Sequence, residues 1–182
     1  TPGANGRVSP ADIDGAETLI AGASAVVVQL EIPLPAVKRA LEIARAHGIL
    51  SVVNPAPADP GVLELLPLAD VVTPNELELM ALTGITDLSD ASLTEGLNAL
   101  ITAGARRAVV TLGAAGCATL AGSELIRIPA FPVKAVDATG AGDTFNGALV
   151  DRLVAGETVV DALRYASAAA AISVTRASAD AA

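Results

Sequence analysis

Aromatic residues and cysteine are nearly absent from this sequence. Its 182 residues include no tryptophan, one tyrosine and two phenylalanines. The chain therefore lacks the aromatic platform on which single-stranded nucleic acids stack. Its one cysteine, Cys117, cannot form a disulfide within the chain, and its place between a glycine and an alanine indicates a small core residue rather than a nucleophile.

Positive charge is scarce as well. Eleven Lys and Arg against 20 Asp and Glu give a formal net charge of -9, which repels a polyphosphate backbone, so we expect no nucleic-acid partner. The apolar runs are too short to cross a bilayer, and no charged-then-apolar leader opens the sequence. We therefore expect no membrane association and a cytoplasmic protein.

The composition indicates one packed domain over residues 1–182. A hydrophobic fraction of 52% and a mean hydropathy of +0.57 exclude a disordered chain. A core of Ala, Val, Leu and Ile suits close packing of helices on a sheet. The phosphate-binding motif of P-loop enzymes and the glycine fingerprint of dinucleotide-binding proteins are both absent.

Short β-branched runs alternate with longer periodic ones. They predict strands at 25–30, 50–53, 71–73 and 108–112, and helices at 10–21, 35–47, 75–82 and 93–103. Apolar strands separated by helices predict a three-layer α/β fold with a mainly parallel sheet. Turn signals after residue 112 predict a hairpin, and two alanine-rich helices, at 142–155 and 159–174, close the chain.

In open parallel sheets, ligands bind beyond the carboxyl ends of the strands. The residues just past the predicted strands are Glu31, Asn54, Asn75 and Gly113. The sequence therefore predicts that three polar side chains and a glycine meet at one edge of the sheet.

The most informative segment covers residues 136–148. Gly140, Ala141 and Gly142 precede Asp143 at the start of a predicted helix. Unpaired N–H groups at a helix N-terminus can hold phosphate oxygens, and a nearby carboxylate can accept a proton from an attacking hydroxyl. The alternative is that Asp143 only caps a helix after a flexible turn.

Five segments in register resemble the motifs of the PfkB-type, or ribokinase-like, carbohydrate kinase family. They are residues 29–31, 54–58, 73–78, 111–116 and 137–143, and the similarity runs from Gly3 to Arg176. The resemblance implies the three-layer ribokinase-like α/β fold and ATP-dependent phosphorylation of a sugar hydroxyl, with ribose the first expected acceptor. Another sugar or nucleoside kinase and a non-catalytic nucleotide-binding module are the alternatives.

The resemblance also implies roles for the residues of the phosphoryl-transfer and sugar sites. Asp143 would be the base, and the main chain of Gly140, Ala141 and Gly142 would form the anion hole. Glu31 and Asp143 would contact the sugar hydroxyls. For Glu31, an exposed acid at a strand end is the alternative.

The same family pattern implies nucleotide and metal sites. The nucleotide contacts would be Asn75, Thr111, Gly113 and Gly116. The metal contacts would be Glu78 for Mg²⁺, and Asp137 and Thr139 for a monovalent cation such as K⁺. The alternative for Asn75 and Glu78 is an ordinary solvated helix start, and a tight hairpin turn explains the glycines equally well.

The resemblance implies that members of this family carry about a hundred more residues before the equivalent of Thr1. Those residues hold a Gly-Gly sugar motif, the first strands and a β-lid. We therefore expect a partial domain, truncated on its N-terminal side, without the lid and weakly active or inactive alone, whose open sheet edge promotes association. A homodimer is one possible assembly of the longer form. Residues 177–182 also depart from the turn that helps to enclose the cation in the family.

Overall fold

A six-stranded sheet forms the middle layer of the molecule in a computed structural model, which describes residues 3–176. Its strands lie side by side in chain order: β1 (Ala25–Gln29), β2 (Leu50–Asn54), β3 (Val71–Val72), β4 (Arg107–Thr111), β5 (Cys117–Ala121) and β6 (Glu124–Ile128). Strands β1 to β4 are parallel, and β5 and β6 add an antiparallel hairpin. The predicted parallel sheet and the predicted hairpin are both present.

Helices cover the two faces of this sheet. They are α1 (Pro10–Gly15), α2 (Glu17–Ala21), α3 (Leu34–Ala46), α4 (Glu76–Thr83), α5 (Asp90–Thr102), α6 (Ala141–Val154) and α7 (Val159–Ser173). Short 3-10 helices lie at Asn5–Arg7, Pro60–Glu64, Leu66–Leu68 and Gly113–Ala115. Helices α3, α4 and α5 pack on one face and α6 and α7 on the other, which confirms the three-layer α/β fold. In the described part of the chain, none of the helices combines the length and apolar character that a bilayer span requires.

Adjacent valines of β2 pack into the hydrophobic cores on opposite faces of the sheet. Val53 packs with α3, α4 and α5, whereas its neighbour Val52 packs with α6 and α7, and both are fully buried. Because successive side chains of a strand point to opposite faces, a doubly covered strand needs apolar residues at both positions. Cys117 belongs to the second core, and burial raises the pKa of its thiol to about 11, as suits a core residue.

Two predicted helix boundaries were wrong. The helix expected over 10–21 is interrupted at Ala16, whose ψ of 3° departs from helical geometry, directly after Gly15, a weak helix former. Helix α5 begins at Asp90, three residues before the predicted start, because Ser89 caps it by accepting a hydrogen bond from Ser92 N–H. The apolar periodicity that guided the prediction begins only at Leu93.

Because β1 to β4 are parallel, their carboxyl ends lie along one edge of the sheet. The loop of residues 136–140 is tied to the end of α7 by the N–H groups of Val136 and Asp137, which donate to the Val174 carbonyl at 2.7 and 3.1 Å. This loop leads into α6, and α6 brings residue 143 to the end of β1.

Candidate active site

Asp143 lies in the first turn of α6 and is exposed. The helix is preceded by Gly140, whose φ of 74° is a left-handed conformation that favours glycine. Thr144 N–H donates to the Gly140 carbonyl at 2.9 Å and starts the helix. Within the described residues, no side chain makes a capping hydrogen bond at the start of α6, so Asp143 is not a hydrogen-bonding cap, and its charge suits the N-terminus of the helix.

The main chain before Asp143 offers donors to an anion. The N–H of Ala141 already donates to the Ala138 carbonyl at 3.2 Å. Within residues 3–176, no protein acceptor is found for the N–H groups of Gly140, Gly142 and Asp143. A Cβ on Gly142 would meet no atom within 4 Å, so the space beside it is open. The free N–H donors therefore include Asp143 in place of the expected Ala141.

A polar cluster joins Asp143 to the ends of β1 and β2. Gln29 Nε2 donates to Asp143 Oδ1 at 2.8 Å and to Asn54 Oδ1 at 3.0 Å, and Asn54 Nδ2 donates to the Thr73 carbonyl at 3.1 Å. The cluster borders an open hollow of about 320 Å³. The hollow is lined by Val27, Gln29, Asn54, Asp143, Asn146 and Gly147.

Asn146 lies one turn after Asp143 on the same helix and also lines the hollow. Asn146 is 5% exposed, and its Oδ1 is buried without a hydrogen-bond partner among residues 3–176. A buried amide oxygen without a partner is unfavourable, since it has lost its bonds to water. The position therefore has unused hydrogen-bonding capacity next to the carboxylate.

Asn75 and Glu78 form a reciprocal capping box at the start of α4. Asn75 Oδ1 accepts from Glu78 N–H at 2.9 Å, and the Asn75 main-chain and side-chain nitrogens donate to the two Glu78 carboxylate oxygens. Glu78 is buried, and this burial raises the pKa of its carboxyl. The pair therefore stabilises an ordinary helix start. Each carboxylate oxygen of Glu78 can still accept a further hydrogen bond.

Thr111 ends β4 beside this helix start. Its N–H donates to the Pro74 carbonyl at 3.0 Å, and it forms an isolated bridge with Asn75. Since Asn54 binds the Thr73 carbonyl, the chain segment 73–75 connects the Asp143 cluster with Thr111 along one edge of the sheet.

The two glycines after β4 differ in their surroundings. Gly113 has a φ of 50° and open space where a Cβ would lie. A Cβ on Gly116, whose φ is 94°, would lie 2.0 Å from the Ile128 carbonyl oxygen. Gly116 is therefore required for the crossing of two main-chain segments, whereas the space beside Gly113 is open to a ligand.

Glu31 lies in the turn after β1, two residues beyond Gln29, and is exposed. Its Oε2 accepts from Asn5 Nδ2 at 3.5 Å. It does not line the hollow at Asp143. Glu31 is thus an exposed acid beyond a strand end, and its contact with a sugar hydroxyl stays a prediction.

Asp137 and Thr139 lie in the loop before α6. Asp137 Oδ1 accepts from Thr139 N–H at 2.9 Å, and hydrogen bonds from Thr139 lower the pKa of the Asp137 carboxyl. The departure from the family pattern at residues 177–182 lies outside the described residues. Over residues 3–176, no group of three or more His, Cys, Asp or Glu is placed to share a metal ion.

Gln29 and Asn146 were not among the predicted site residues. A polar residue at the last position of an otherwise apolar strand could have indicated Gln29, because that position faces the carboxyl edge. The spacing of three from Asp143 could have indicated Asn146, since residues three apart share a helix face.

This chain is similar to carbohydrate kinases. The model of the pfkB family carbohydrate kinases matches residues 6–182. A ribokinase of Staphylococcus aureus (strain COL) is 39% identical over 175 residues, which cover 96% of this chain and 58% of the relative. A deoxyribokinase of Salmonella typhi is 36% identical over 178 residues, covering 95% and 57%.

The structure of Arabidopsis thaliana ribokinase complexed with ribose and ATP superimposes with a TM-score of 0.90 at 30% identity, covering 98% of this chain and 59% of that one. The chain therefore belongs to the pfkB family of carbohydrate kinases. It spans just under three fifths of the length of these relatives.

Proposed function

We propose that this chain carries the base and the phosphate-binding part of an ATP-dependent ribose kinase. The observation that supports this function best is the position of Asp143, an exposed carboxylate in the first turn of α6 beside unpaired main-chain donors. Phosphoryl transfer is catalysed mainly by positioning and electrostatic stabilisation, which this geometry can supply.

In the proposed reaction, a sugar hydroxyl oxygen attacks the γ-phosphorus of ATP. Its proton passes to the Asp143 carboxylate, the bond between the γ-phosphorus and the bridging oxygen breaks, and ADP leaves. The N–H groups of Gly140, Gly142 and Asp143 stabilise the charge on the transferred phosphoryl group. Ribose is the proposed acceptor because several similar proteins are ribokinases.

The nucleotide is proposed to lie along the edge formed by Asn75, Thr111 and Gly113. These residues lie together at the ends of β3 and β4, and the space beside Gly113 is open. We assign Gly116 an indirect part, since it permits the chain crossing that shapes this edge.

Mg²⁺ and a monovalent cation fit the donors that are present. Carboxylate, hydroxyl and carbonyl oxygens are the ligands that these hard cations prefer. Glu78 would hold Mg²⁺ through water, and the Asp137 carboxylate with Thr139 would hold K⁺. When bound, Mg²⁺ neutralises charge on the β- and γ-phosphate oxygens.

The test is a measurement of ADP and sugar phosphate formed from Mg-ATP with ribose, fructose or adenosine. Asp143→Asn is expected to lower kcat by about 100-fold or more, because general base catalysis contributes roughly that much. The matched control is Asp151→Asn, which removes another exposed carboxylate of α6. Equal and measurable rates of sugar phosphate formation for Asp143→Asn and the control would refute the role of Asp143.

A second measurement separates a kinase from a nucleotide-binding module and from a structural domain. Mg-ATP should raise the thermal midpoint of both the wild type and Asp143→Asn, since the base is not needed for binding. A binding module would show the same shift without any phosphoryl transfer, and a structural domain would show no shift.

Deoxyribose is the second candidate acceptor, because a deoxyribokinase is 36% identical to this chain. The two sugars differ only by the 2-hydroxyl. A site that hydrogen-bonds this hydroxyl should discriminate strongly against the sugar that lacks it. The ratio of kcat/KM values for ribose and deoxyribose therefore decides between the two acceptors.

A further inference from the structure

The Gln29 side chain connects the carboxylate of α6 to the central sheet. Its amide nitrogen lies 2.8 Å from Asp143 Oδ1 and 3.0 Å from Asn54 Oδ1, so both of its protons are used. Gln29 is half-buried at the last position of β1, and it lies opposite Asn54 in the sheet register. The contact joins residues 114 positions apart in the sequence.

The orientation of this amide is determined by a series of hydrogen bonds. The Thr73 carbonyl is an acceptor only, so the Asn54 group that faces it must be the NH₂ group. The oxygen of Asn54 then faces Gln29, and Gln29 must present its own NH₂ group. One proton of that group consequently points at Asp143.

This arrangement treats the two oxygens of the Asp143 carboxylate differently. Oδ1 accepts from Gln29, whereas Oδ2 accepts no hydrogen bond from the described residues. A neutral amide orients a carboxylate and leaves its negative charge in place. A lysine or arginine would neutralise that charge. Oδ2 is left free to receive a proton.

We propose that Gln29 is a positioning residue that holds Asp143 Oδ1, so that Oδ2 is presented to the sugar hydroxyl. The inference rests on the proposed function, because it assigns the proton to one oxygen of the proposed base. Small errors in the position of a reacting group lower the reaction rate by large factors. The hydrogen bond between Gln29 and Asp143 should therefore affect kcat.

The hydrogen bond can be tested in the 182-residue chain without any activity. Gln29 is the only glutamine in the sequence, so labelling of glutamine Nε2 with ¹⁵N in cell-free synthesis gives a single side-chain NH₂ signal. Replacement of Asp143 by Asn or by Ala should shift one of its two proton signals. Asp151→Asn, on the same helix, should shift neither.

The positioning role can be tested by kinetics on the same chain. Gln29→Leu removes the donor and Gln29→Glu replaces it with an isosteric acceptor. Both should lower kcat about 10- to 100-fold while KM for ATP stays within a factor of two. A residue needed only for packing would lower the thermal midpoint without separating kcat from KM.

The possible results lead to distinct conclusions. The positioning role would be overturned if the Gln29 NH₂ signals were the same in the wild type and both Asp143 variants. It would also be overturned if a folded Gln29→Leu chain kept the wild-type kcat. A wild-type chain whose thermal midpoint is not raised by Mg-ATP counts against the proposed function, and the NMR comparison still decides whether Gln29 holds the carboxylate.

Discussion

The main-chain and side-chain nitrogens of Asn75 hold the two carboxylate oxygens of Glu78, at 2.8 Å each. Ser9 and Asp12 form a second capping box at the start of α1. The two boxes share a geometry but differ in burial, since Glu78 is buried and Asp12 is exposed. Because of this difference, the contributions of the two acids to the free energy of unfolding should change with pH in opposite directions.

Glu78 should make the folded chain less stable as the pH rises. Burial raises the pKa of its carboxyl above the ordinary 4.5, so the folded chain binds this proton more tightly than the unfolded chain. The resulting stability is present below pH 4.5 and is lost as the pH rises through the folded pKa. Chemical unfolding should therefore show that the wild type gains stability relative to Glu78→Gln as the pH is lowered from neutral.

Asp12→Asn is the matched control for this prediction. Hydrogen bonds from the Ser9 side chain and main chain lower the pKa of the Asp12 carboxyl below the ordinary 3.8. The stability from Asp12 is present above that value and is lost as the pH falls through the folded pKa. The wild type should lose stability relative to Asp12→Asn at low pH, and the same sign for both variants would contradict the assignment.

Gly116→Ala should be far more damaging than Gly113→Ala. Both positions have a positive φ, so both variants incur backbone strain of about 1–2 kcal/mol. Only at position 116 would the new Cβ lie 2.0 Å from the Ile128 carbonyl oxygen and 2.6 Å from Ala130 N. We expect Gly116→Ala to cost at least about 3 kcal/mol of unfolding free energy, as strain at a special backbone position can.

Urea denaturation of the two variants checks this prediction. Equal midpoints for Gly116→Ala and Gly113→Ala would show that the segments 113–116 and 128–130 do not cross as closely as described. In that case the direct nucleotide contact predicted for Gly116 would be the better assignment.

Self-association through β1 is expected at high concentration. In the described sheet, β1 pairs with β2 on one side and has no strand on the other, and an unpaired strand edge is a template for pairing between chains. Val27, at the centre of β1, is 45% exposed. Val27→Lys should reduce association, because charged residues on an edge strand oppose pairing.

Leu19→Lys is the control for the edge effect. Leu19 is 79% exposed on the short helix α2, outside the strands of the sheet. Light scattering across a concentration series should show a smaller mean mass for Val27→Lys than for the wild type and Leu19→Lys. If the two lysine variants dissociate equally, the association depends on general hydrophobicity and not on β1.

The sequence predicted the layers of the fold because burial on both faces leaves a local pattern. Val52 and Val53, for example, form an unbroken apolar pair that only a doubly covered strand requires. The break at Ala16 was missed because its neighbours Ile13 and Ile20 continue an apolar period across it. Side chains at strand ends were predicted from the general rule for parallel sheets.

The contacts within the candidate site were less predictable. Gln29 reaches Asp143 across 114 residues, and no spacing in the sequence records such a contact. The role of Gly116 depends on the course of residues 128–130, which carry no regular pattern. Local motifs indicated which residues matter, whereas their partners are set by the packing of α6 against β1 and β2.

Asn146→Leu should stabilise the chain, whereas Asn54→Leu should destabilise it. Both asparagines are buried and line the same hollow. Asn54 accepts from Gln29 and donates to Thr73, so its replacement leaves two groups without partners, at a cost of about 1–3 kcal/mol. In the described part of the chain, Asn146 Oδ1 has no partner, so an apolar side chain of similar size removes a penalty of about 1 kcal/mol or more.

Thermal unfolding of the two variants measures this contrast, and Mg-ATP and ribose add a second comparison. If the free oxygen of Asn146 is kept because a ligand donates to it, Asn146→Leu should be more stable alone and gain less from the ligands than the wild type. A lower midpoint for Asn146→Leu without ligands would mean that the oxygen has a partner, such as a bound water, inside the folded chain.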